Sequence, residues 1–407
     1  MRTARLDVLS VFSVFLIGAE ARAADWPGFL GPNRDGCSTE TGLLKQWPQE
    51  GPALRWKSEA IGPGWSSVAI AGGSAYTTGN EGDNQMLICL DAATGKEKWR
   101  VVQGPKASNG GYSGARSTPT VDGDRVYVTG GDGLFTCHQV ADGKMLWKHD
   151  MQRELGGRVG DWIYSESVLI LGRLAIVTPG GSHAFTAFDK TTGAPAWKSD
   201  ASAVAGYSSC VPITLHGTTA IVNGTQSGLI FVDAKTGKEI YRNPFADGNV
   251  ANTPTPAYSD GYLFWAVGYN KGGLCLKVGQ TGGKWTFDEA WTTHDFNCHP
   301  GNYVVVKDRV YGKGRGGLVC ADLKTGKILW QERGGAGQVC WADGMLYSLA
   351  DSGGALTLLD PAAENSRVKG SIKVAGNGNS WSHPAIANGC LYVRFDTNLY
   401  CFDIRAK

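Results

Sequence analysis

The sequence predicts an all-β fold, an eight-bladed β-propeller, and three observations indicate it. A turn phrase followed by an aromatic residue recurs along the chain, and the aromatic residues lie 39 to 50 residues apart. The 58 glycines, 14 tryptophans and 14 tyrosines suit strands joined by many tight turns. Strand-like hairpin segments also begin eight times. A period of about 45 residues with such segments is typical of four-stranded propeller blades.

The recurring phrase is Asp-x-x-Thr-Gly-Lys with an aromatic residue shortly after it, as in Asp91 to Trp99. Its Asp and Thr side chains are suited to capping backbone N–H groups, and its Gly to a positive φ. We expect the aromatic residue to begin the outer strand and to pack on the neighbouring blade. The phrase is rewritten in residues 277–291 and 360–373. The predicted docking residues are Trp56, Trp99, Trp147, Trp197, Tyr241, Trp291 and Trp330.

Each blade is predicted to start with an inner strand and a hairpin. The last hairpin runs out near Asp403 without an outer strand, so the strand around Trp56 is predicted to complete the eighth blade. Closing the ring in this way removes open sheet edges. Seven blades, the alternative, would leave one start unused. The predicted starts are residues 65–77, 112–129, 164–178, 207–223, 252–266, 299–311, 338–349 and 381–395.

The N-terminus predicts export. Arg2 and Arg5 precede an apolar run at 8–18 that is too short to span a bilayer. The small residues before and at Ala23 then predict signal-peptide cleavage after Ala23. We therefore divide the chain into a signal peptide (1–23), a leader (24–53) and one propeller domain (54–407). The mature protein is expected to be soluble, without a transmembrane segment, in the periplasm or outside the cell.

Charge and cysteines exclude several classes of protein. The net charge is +2 with no basic stripe, so nucleic-acid binding has no electrostatic support. No Cys-x-x-Cys occurs among the ten cysteines, which excludes the ordinary c-type haem attachment. Cys89, Cys137, Cys320 and Cys401 share one repeat position, which indicates buried free thiols rather than disulfides. Cys37, outside the repeats, is the expected exception.

The turn phrase resembles the tryptophan-docking repeat of the pyrroloquinoline-quinone (PQQ) propeller family, over residues 54–403. The Trp-Asp ending of WD40 repeats is absent. The segment from Asp25 to Gly36 also resembles the leader of exported bacterial proteins of this family. The resemblance implies the propeller fold. The family that this chain resembles includes PQQ-dependent dehydrogenases and BamB, a non-catalytic propeller that assists outer-membrane protein assembly.

In a propeller, the loops that enter the first strands meet at one rim of the central channel, where ligands bind. Arg116 is suited to a carboxylate, and Trp65 or Trp381 to stacking on a ring. We therefore expect a flat, anionic or sugar-like ligand at this rim. The predicted rim residues are Trp65, Tyr112, Arg116, Tyr164, Glu166, Tyr207, Asn252, His299, Gln338, Trp381 and His383.

A PQQ dehydrogenase would need Ca²⁺ ligands and a catalytic Asp. Glu166 and Asn252 are candidate Ca²⁺ ligands, and Asp161 and Asp295 are conceivable bases, but no acidic cluster completes a site. The adjacent cysteine pair of methanol-type enzymes is also absent. We therefore predict a non-catalytic binding or scaffold propeller with envelope proteins as partners. The alternatives are a dehydrogenase of alcohols or sugars, which would use PQQ and Ca²⁺, and a carbohydrate-binding propeller.

Overall fold

The computed structural model describes residues 24–109, 111–248, 250–334, 336–362 and 367–406. These residues form eight sheets, each built on four antiparallel strands, so the predicted eight-bladed propeller is confirmed and the seven-bladed alternative is wrong. The predicted signal peptide, 1–23, lies outside the described residues. Within the described ranges there is no helix of the length and apolar character needed to cross a membrane.

The first half of the chain contains two single strands, four blades and one short ribbon. In chain order these elements are β1 (Cys37–Ser38) and β2 (Ala53–Ser58); blade one, β3 (Ala69–Ala71), β4 (Ser74–Glu81), β5 (Asn84–Asp91) and β6 (Glu97–Pro105); the ribbon, β7 (Ser108–Asn109) and β8 (Tyr112–Ser113); blade two, β9 (Thr120–Asp122), β10 (Arg125–Thr129), β11 (Leu134–Gln139) and β12 (Met145–Asp150); blade three, β13 (Leu169–Leu171), β14 (Leu174–Val177), β15 (Thr186–Asp189) and β16 (Pro195–Lys198); and blade four, β17 (Val211–Leu215), β18 (Thr218–Thr225), β19 (Gly228–Asp233) and β20 (Glu239–Asn243).

The second half of the chain contains the other four blades. They are blade five, β21 (Ala257–Ser259), β22 (Tyr262–Val267), β23 (Gly272–Thr281) and β24 (Lys284–Thr293); blade six, β25 (Tyr303–Val306), β26 (Arg309–Lys313), β27 (Gly317–Asp322) and β28 (Ile328–Arg333); blade seven, β29 (Gly337–Ala342), β30 (Met345–Ala350), β31 (Ala355–Leu359) and β32 (Val368–Lys373); and three strands of blade eight, β33 (Ala385–Ala387), β34 (Cys390–Phe395) and β35 (Asn398–Asp403).

Burial is greatest in the middle strands of the blades. These strands are packed on both faces, and every residue of β30 and β34 is buried. The outer strands are more exposed, and in β28 half-buried and exposed residues alternate. The core therefore lies between the blades.

Strand β2 closes the ring, as predicted. It pairs antiparallel with β35, and Trp56 lies opposite Cys401. Arg394 of blade eight reinforces the closure, because its guanidinium donates to the carbonyl oxygen of Gly62 (2.9 Å) and to Oγ1 of Thr77 (3.0 Å) in blade one. Closure is thus both a strand pairing and a buried hydrogen-bond network.

The docking rings pack on the turn glycines of the next blade. Gly95 has φ +71°, and a Cβ at this position would lie 2.5 Å from the Trp56 ring. The Trp56 indole also donates to the carbonyl oxygen of Ala92 at 3.0 Å. Each glycine therefore allows a flat contact that a side chain would block. The same packing joins Trp99 to Gly143, Trp147 to Gly193, Trp197 to Gly237, and Trp291 to Gly326.

Other side chains replace the glycine where the turn phrase is rewritten. Phe287 stacks on Tyr241 with ring centroids 4.2 Å apart and an interplanar angle of 5°. The Arg367 guanidinium lies over Trp330, 4.4 Å from the ring centroid. The departures in blades five and seven therefore preserve the inter-blade contact with different chemistry.

The cysteines occupy a slot beside the docking rings. Five of them lie opposite a docking tryptophan on the third strand of a blade: Cys89, Cys137, Cys275, Cys320 and Cys401. All ten cysteines are free and nine are buried. Cys37 was expected to differ from the buried free thiols. It is free as well, so this expectation is wrong with respect to disulfide pairing, although Cys37 is only half-buried.

The leader crosses the end of the channel where the inner strands finish. Trp26 pairs with Ile70 of blade one, and the carbonyl oxygen of Pro27 accepts from the N–H of Val121 in blade two at 2.7 Å. The chain then reaches blade seven, where β1 pairs in parallel with β29. In blade eight, Glu40 accepts from the N–H of Gly389 at 2.7 Å. The leader therefore forms a plug across the channel.

Arg34 anchors the plug. Its guanidinium donates to the carbonyl oxygens of Ser167 (2.8 Å), Val168 (3.0 Å) and Cys210 (2.8 Å), which belong to the entries of blades three and four. The side chain is buried, and burial lowers its pKa to about 10. Each of the three guanidinium nitrogens thus donates to one backbone carbonyl group.

Candidate functional site

A cup opens at the other end of the channel, and the empty space in it, including open solvent at its mouth, is about 940 Å³. In seven blades, the residue four places before the inner strand lines this cup. One repeat position therefore supplies half of the fourteen lining residues. These seven residues are Trp65, Arg116, Ser165, Tyr207, Thr253, His299 and Trp381.

The rest of the lining comes from entry loops and from the leader. Phe29 of the leader contacts the His383 ring edge-on, with centroids 4.9 Å apart, and both side chains line the cup. The plug thus forms part of the floor of the cup. The remaining lining residues are Tyr112, Trp162, Ala251, Tyr269 and Pro300.

Seven of the eleven predicted rim residues line the cup, and four do not. Tyr164 is buried and donates through Oη to the carbonyl oxygen of Pro179 at 2.7 Å. Asn252 accepts from the N–H of Tyr207 at 3.2 Å and donates to the carbonyl oxygen of Thr225 at 2.8 Å. Placing these two side chains in the cup was wrong, because neighbouring residues of an extended segment point to opposite faces.

Glu166 and Gln338 also lie away from the cup. The Glu166 carboxylate accepts from the N–H of Thr178 at 2.7 Å and from the Thr178 hydroxyl. Gln338 is buried in β29, and its Nε2 lies 3.3 Å from Oδ1 of Asp351. Both side chains support the blades from within, so their assignment to the rim was wrong.

Two further residues of the cup were not predicted from the sequence. Ser165 and Thr253 lie next to Tyr164 and Asn252, and their side chains point into the cup. Sequence reasoning missed them because it favoured large side chains at each entry. Their shared feature is a place four residues before an inner strand, which becomes visible only once the structure gives the strand starts.

Two aromatic walls face the cup. In the first wall, Trp65 and Trp381 have ring centroids 5.2 Å apart, and Tyr112 stacks on Trp381 at 5.9 Å. In the second wall, Trp162 contacts Tyr207 at 5.4 Å and Tyr269 at 5.8 Å. Aromatic faces on both sides suit a flat ligand.

Arg116 is the cation of the cup. Its guanidinium lies 5.3 Å from the centroid of Trp65, and Nη2 donates to the carbonyl oxygen of Tyr112 at 3.1 Å. Nη1 is buried with no hydrogen-bond partner. Burial lowers the pKa of Arg116 to about 10, so the group stays charged at neutral pH. No Asp or Glu of the described residues lines the cup.

The two histidines of the cup are neutral at neutral pH. Burial lowers the pKa of His383 to about 3. Burial, followed by the charge of Lys313, lowers the pKa of His299. Arg116 is therefore the fixed charge of the described lining.

A series of hydroxyl groups lies two residues further along the entries of blades one to five. The N–H of Ser67 donates to Thr118 Oγ1 (2.9 Å), and the N–H of Thr118 to Ser167 Oγ (3.0 Å). The series continues to Ser209 (2.9 Å) and Thr255 (3.3 Å). Blades one to five are thus linked in succession just below the cup, a role that sequence reasoning missed although Ser and Thr recur at this position.

A family model described as outer membrane protein assembly factor BamB matches residues 41–154 and 83–332. The chain belongs to the BamB-like family of PQQ-repeat propellers. No curated protein matches the sequence significantly.

Solved structures similar to this BamB-like propeller include quinohemoprotein alcohol dehydrogenases. The enzyme from Comamonas testosteroni is 13% identical, with a TM-score of 0.71, over 94% of this chain and 81% of that one. The enzyme from Pseudomonas putida HK5 is 12% identical, with a TM-score of 0.68 and the same coverage. The computationally designed Ika8 protein is 10% identical, with a TM-score of 0.58, over 91% of this chain and 99% of that one. At these identities the likeness shows the fold alone.

The residues of this BamB-like propeller do not fit a PQQ–Ca²⁺ centre. Glu166 and Asn252, the candidate Ca²⁺ ligands, are committed to Thr178 and to backbone groups outside the cup. The described residues contain no group of three His, Cys, Asp or Glu side chains suited to a metal ion. Asp161 and Asp295, the conceivable bases, do not line the cup.

Proposed function

We propose that this protein is an exported, non-catalytic binding propeller, whose blades hold one recognition cup. The observation that carries this proposal is the convergence of one repeat position from seven blades on a cup of aromatic rings around Arg116. Alcohol oxidation would need a base beside the substrate. The described lining supplies rings, hydroxyl groups, a guanidinium and two histidines, His299 and His383, whose pKa values are lowered by burial and which are therefore weak bases. This set is suited to recognition.

A scaffold role is the family-level form of this proposal. The matching family model carries the name of an outer membrane protein assembly factor. From this family name we infer that the protein acts by binding another component of the envelope. The alternative is a dehydrogenase that uses PQQ and Ca²⁺. Carbohydrate recognition is a second candidate, which the two aromatic walls favour.

The test is a titration of the full exported chain with PQQ and Ca²⁺, separately and together. We expect no saturable rise in thermal midpoint that requires both components, because binding to the folded state alone would raise it. We also expect no reduction of an electron-accepting dye in the presence of alcohols or sugars. A rise that requires both components, together with substrate-dependent dye reduction, would replace this proposal with the dehydrogenase.

A further inference from the structure

The cup has an unusual balance of charge and apolar surface. Rings from both walls and from the leader cover its sides and floor, whereas Arg116 supplies the fixed charge. A cation held against rings without a carboxylate partner is costly to desolvate unless something anionic joins it. The unpartnered Nη1 of Arg116 marks the hydrogen bond that is missing.

Tyr207 adds a second donor beside Arg116. Its hydroxyl oxygen accepts from the N–H of Trp162 at 3.2 Å, and the hydroxyl proton remains to be donated. Arg116 and Tyr207 are close enough to interact electrostatically, and both line the cup. Two donors that line the same cup suit the two oxygens of a single carboxylate.

Most polar atoms of the described lining belong to aromatic or imidazole rings, so the lining offers broad apolar faces rather than a dense set of partners for the hydroxyl groups of a sugar. Each hydroxyl of a buried sugar needs its own partner, since an unpaired buried polar group costs free energy. The smaller polar side chains of the described lining are Ser165 and Thr253, in different blades. A ligand with broad apolar faces and one charged edge matches the described lining better.

We propose that the cup binds a planar aromatic monoanion, an aryl carboxylate, with its carboxylate on Arg116 and Tyr207 and its ring between the two aromatic walls. This inference rests on the proposed function and narrows its ligand. It also separates the cup from a PQQ site. PQQ carries several carboxylates, and only one of them would find a cation in the described lining.

The experiment compares two probes with the same ring, 2-naphthoate and its neutral amide 2-naphthamide, by calorimetry at pH 7 on the full chain. We expect the acid to bind at least ~10-fold more tightly than the amide, the effect of one charge-assisted hydrogen-bonded pair. Arg116→Gln is expected to remove this preference. The matched control Arg153→Gln, whose side chain is 90% exposed, should keep it. Trp381→Ala should weaken both probes.

Three outcomes overturn the inference: equal affinities, a preference that survives in Arg116→Gln, or no binding of either probe to the native protein. Near-ultraviolet circular dichroism of each variant shows that the fold is retained. Binding of neutral cellotetraose in a Trp381-dependent manner would overturn the anion inference but keep the binding function. Turnover with PQQ and Ca²⁺ would overturn both.

Discussion

Glu166 is a carboxyl group enclosed below the cup. Burial raises its pKa to about 7, while hydrogen bonds from Thr178 and the charge of Arg34 act in the opposite direction. Protonated Glu166 is therefore favoured by the folded state over the unfolded chain. At the scale of single residues, this group couples the folded protein to pH.

We predict that the free energy of unfolding falls by up to about 3 kcal/mol as pH rises from 4.5 to 7 because of Glu166. In this window the folded protein keeps a proton that the unfolded chain has already lost, and each unit of pKa shift corresponds to ~1.4 kcal/mol. Glu166→Gln should remove this slope. Denaturant unfolding at several pH values measures it, with the exposed Glu50→Gln as control. An unchanged slope in Glu166→Gln would show that the carboxyl group is ionised in the folded state.

Gly95 and Gly72 separate backbone strain from ring contact. Both have positive φ, +71° and +54°, but only at Gly95 would a Cβ meet the Trp56 ring. We expect Gly72→Ala to destabilise by about 1 kcal/mol through strain, and Gly95→Ala by about 3 kcal/mol because the ring must also move. Denaturation midpoints of the two variants test the difference. Equal costs would mean that the ring adjusts freely.

The individual cup residues were predictable only in part. Arg116, Trp65 and Trp381 could be chosen from the sequence, because their chemistry is conspicuous at a blade entry. Ser165 and Thr253 could not, because the strand boundary that sets the direction of each side chain is not marked by any residue type. A shift of one residue reverses that direction.

At the scale of elements, β2 is the strand on which ring closure depends. We predict that Trp56→Ala destabilises the protein by ~3–5 kcal/mol, because it removes a buried ring between blades eight and one. Trp330→Ala, where the ring is only half-buried and covered by Arg367, should cost less. Calorimetric melting of both variants tests this order, and the reverse order would place the weak point elsewhere.

The leader is the second element with a role of its own. Arg34→Met should free it from blades three and four, since three carbonyl groups lose their donor. We expect faster limited proteolysis within residues 24–52, read by mass spectrometry. Arg173→Met, at a side chain that is 80% exposed, is the control. Unchanged cleavage would mean that β1 and Trp26 hold the plug without Arg34.

The strands followed from the sequence more readily than the plug did. Most blades repeat the same turn chemistry, so Asp91 and Gly95 indicate a hairpin whose two strands are close in sequence. The contacts of Arg34 lie 133 to 176 residues away, and no local pattern indicates them. The leader could therefore be delimited from the sequence, but its place across the channel could not.

For the whole molecule, we predict that amide hydrogen exchange is slower in the middle strands than in the outer strand of every blade. The middle strands are fully packed, and the outer strands are half-exposed, so local opening should cost least at the outside. Exchange followed by mass spectrometry would show peptides of β34 protected far longer than peptides of β28. Protection that differs by blade rather than by strand position would indicate that blades unfold separately.

The pairing of Trp56 with Cys401 also constrains the order of folding. The first strand of the propeller to be synthesised must remain without a partner until the last strand exists, because β2 completes the sheet that β35 ends. Loop closure over such a separation is entropically costly and favours slow folding. Blades one to seven can form while the chain is being synthesised, but the ring closes only when β2 pairs with β35 in the final step. The charged neighbours Arg55 and Lys57 keep that waiting strand compatible with water.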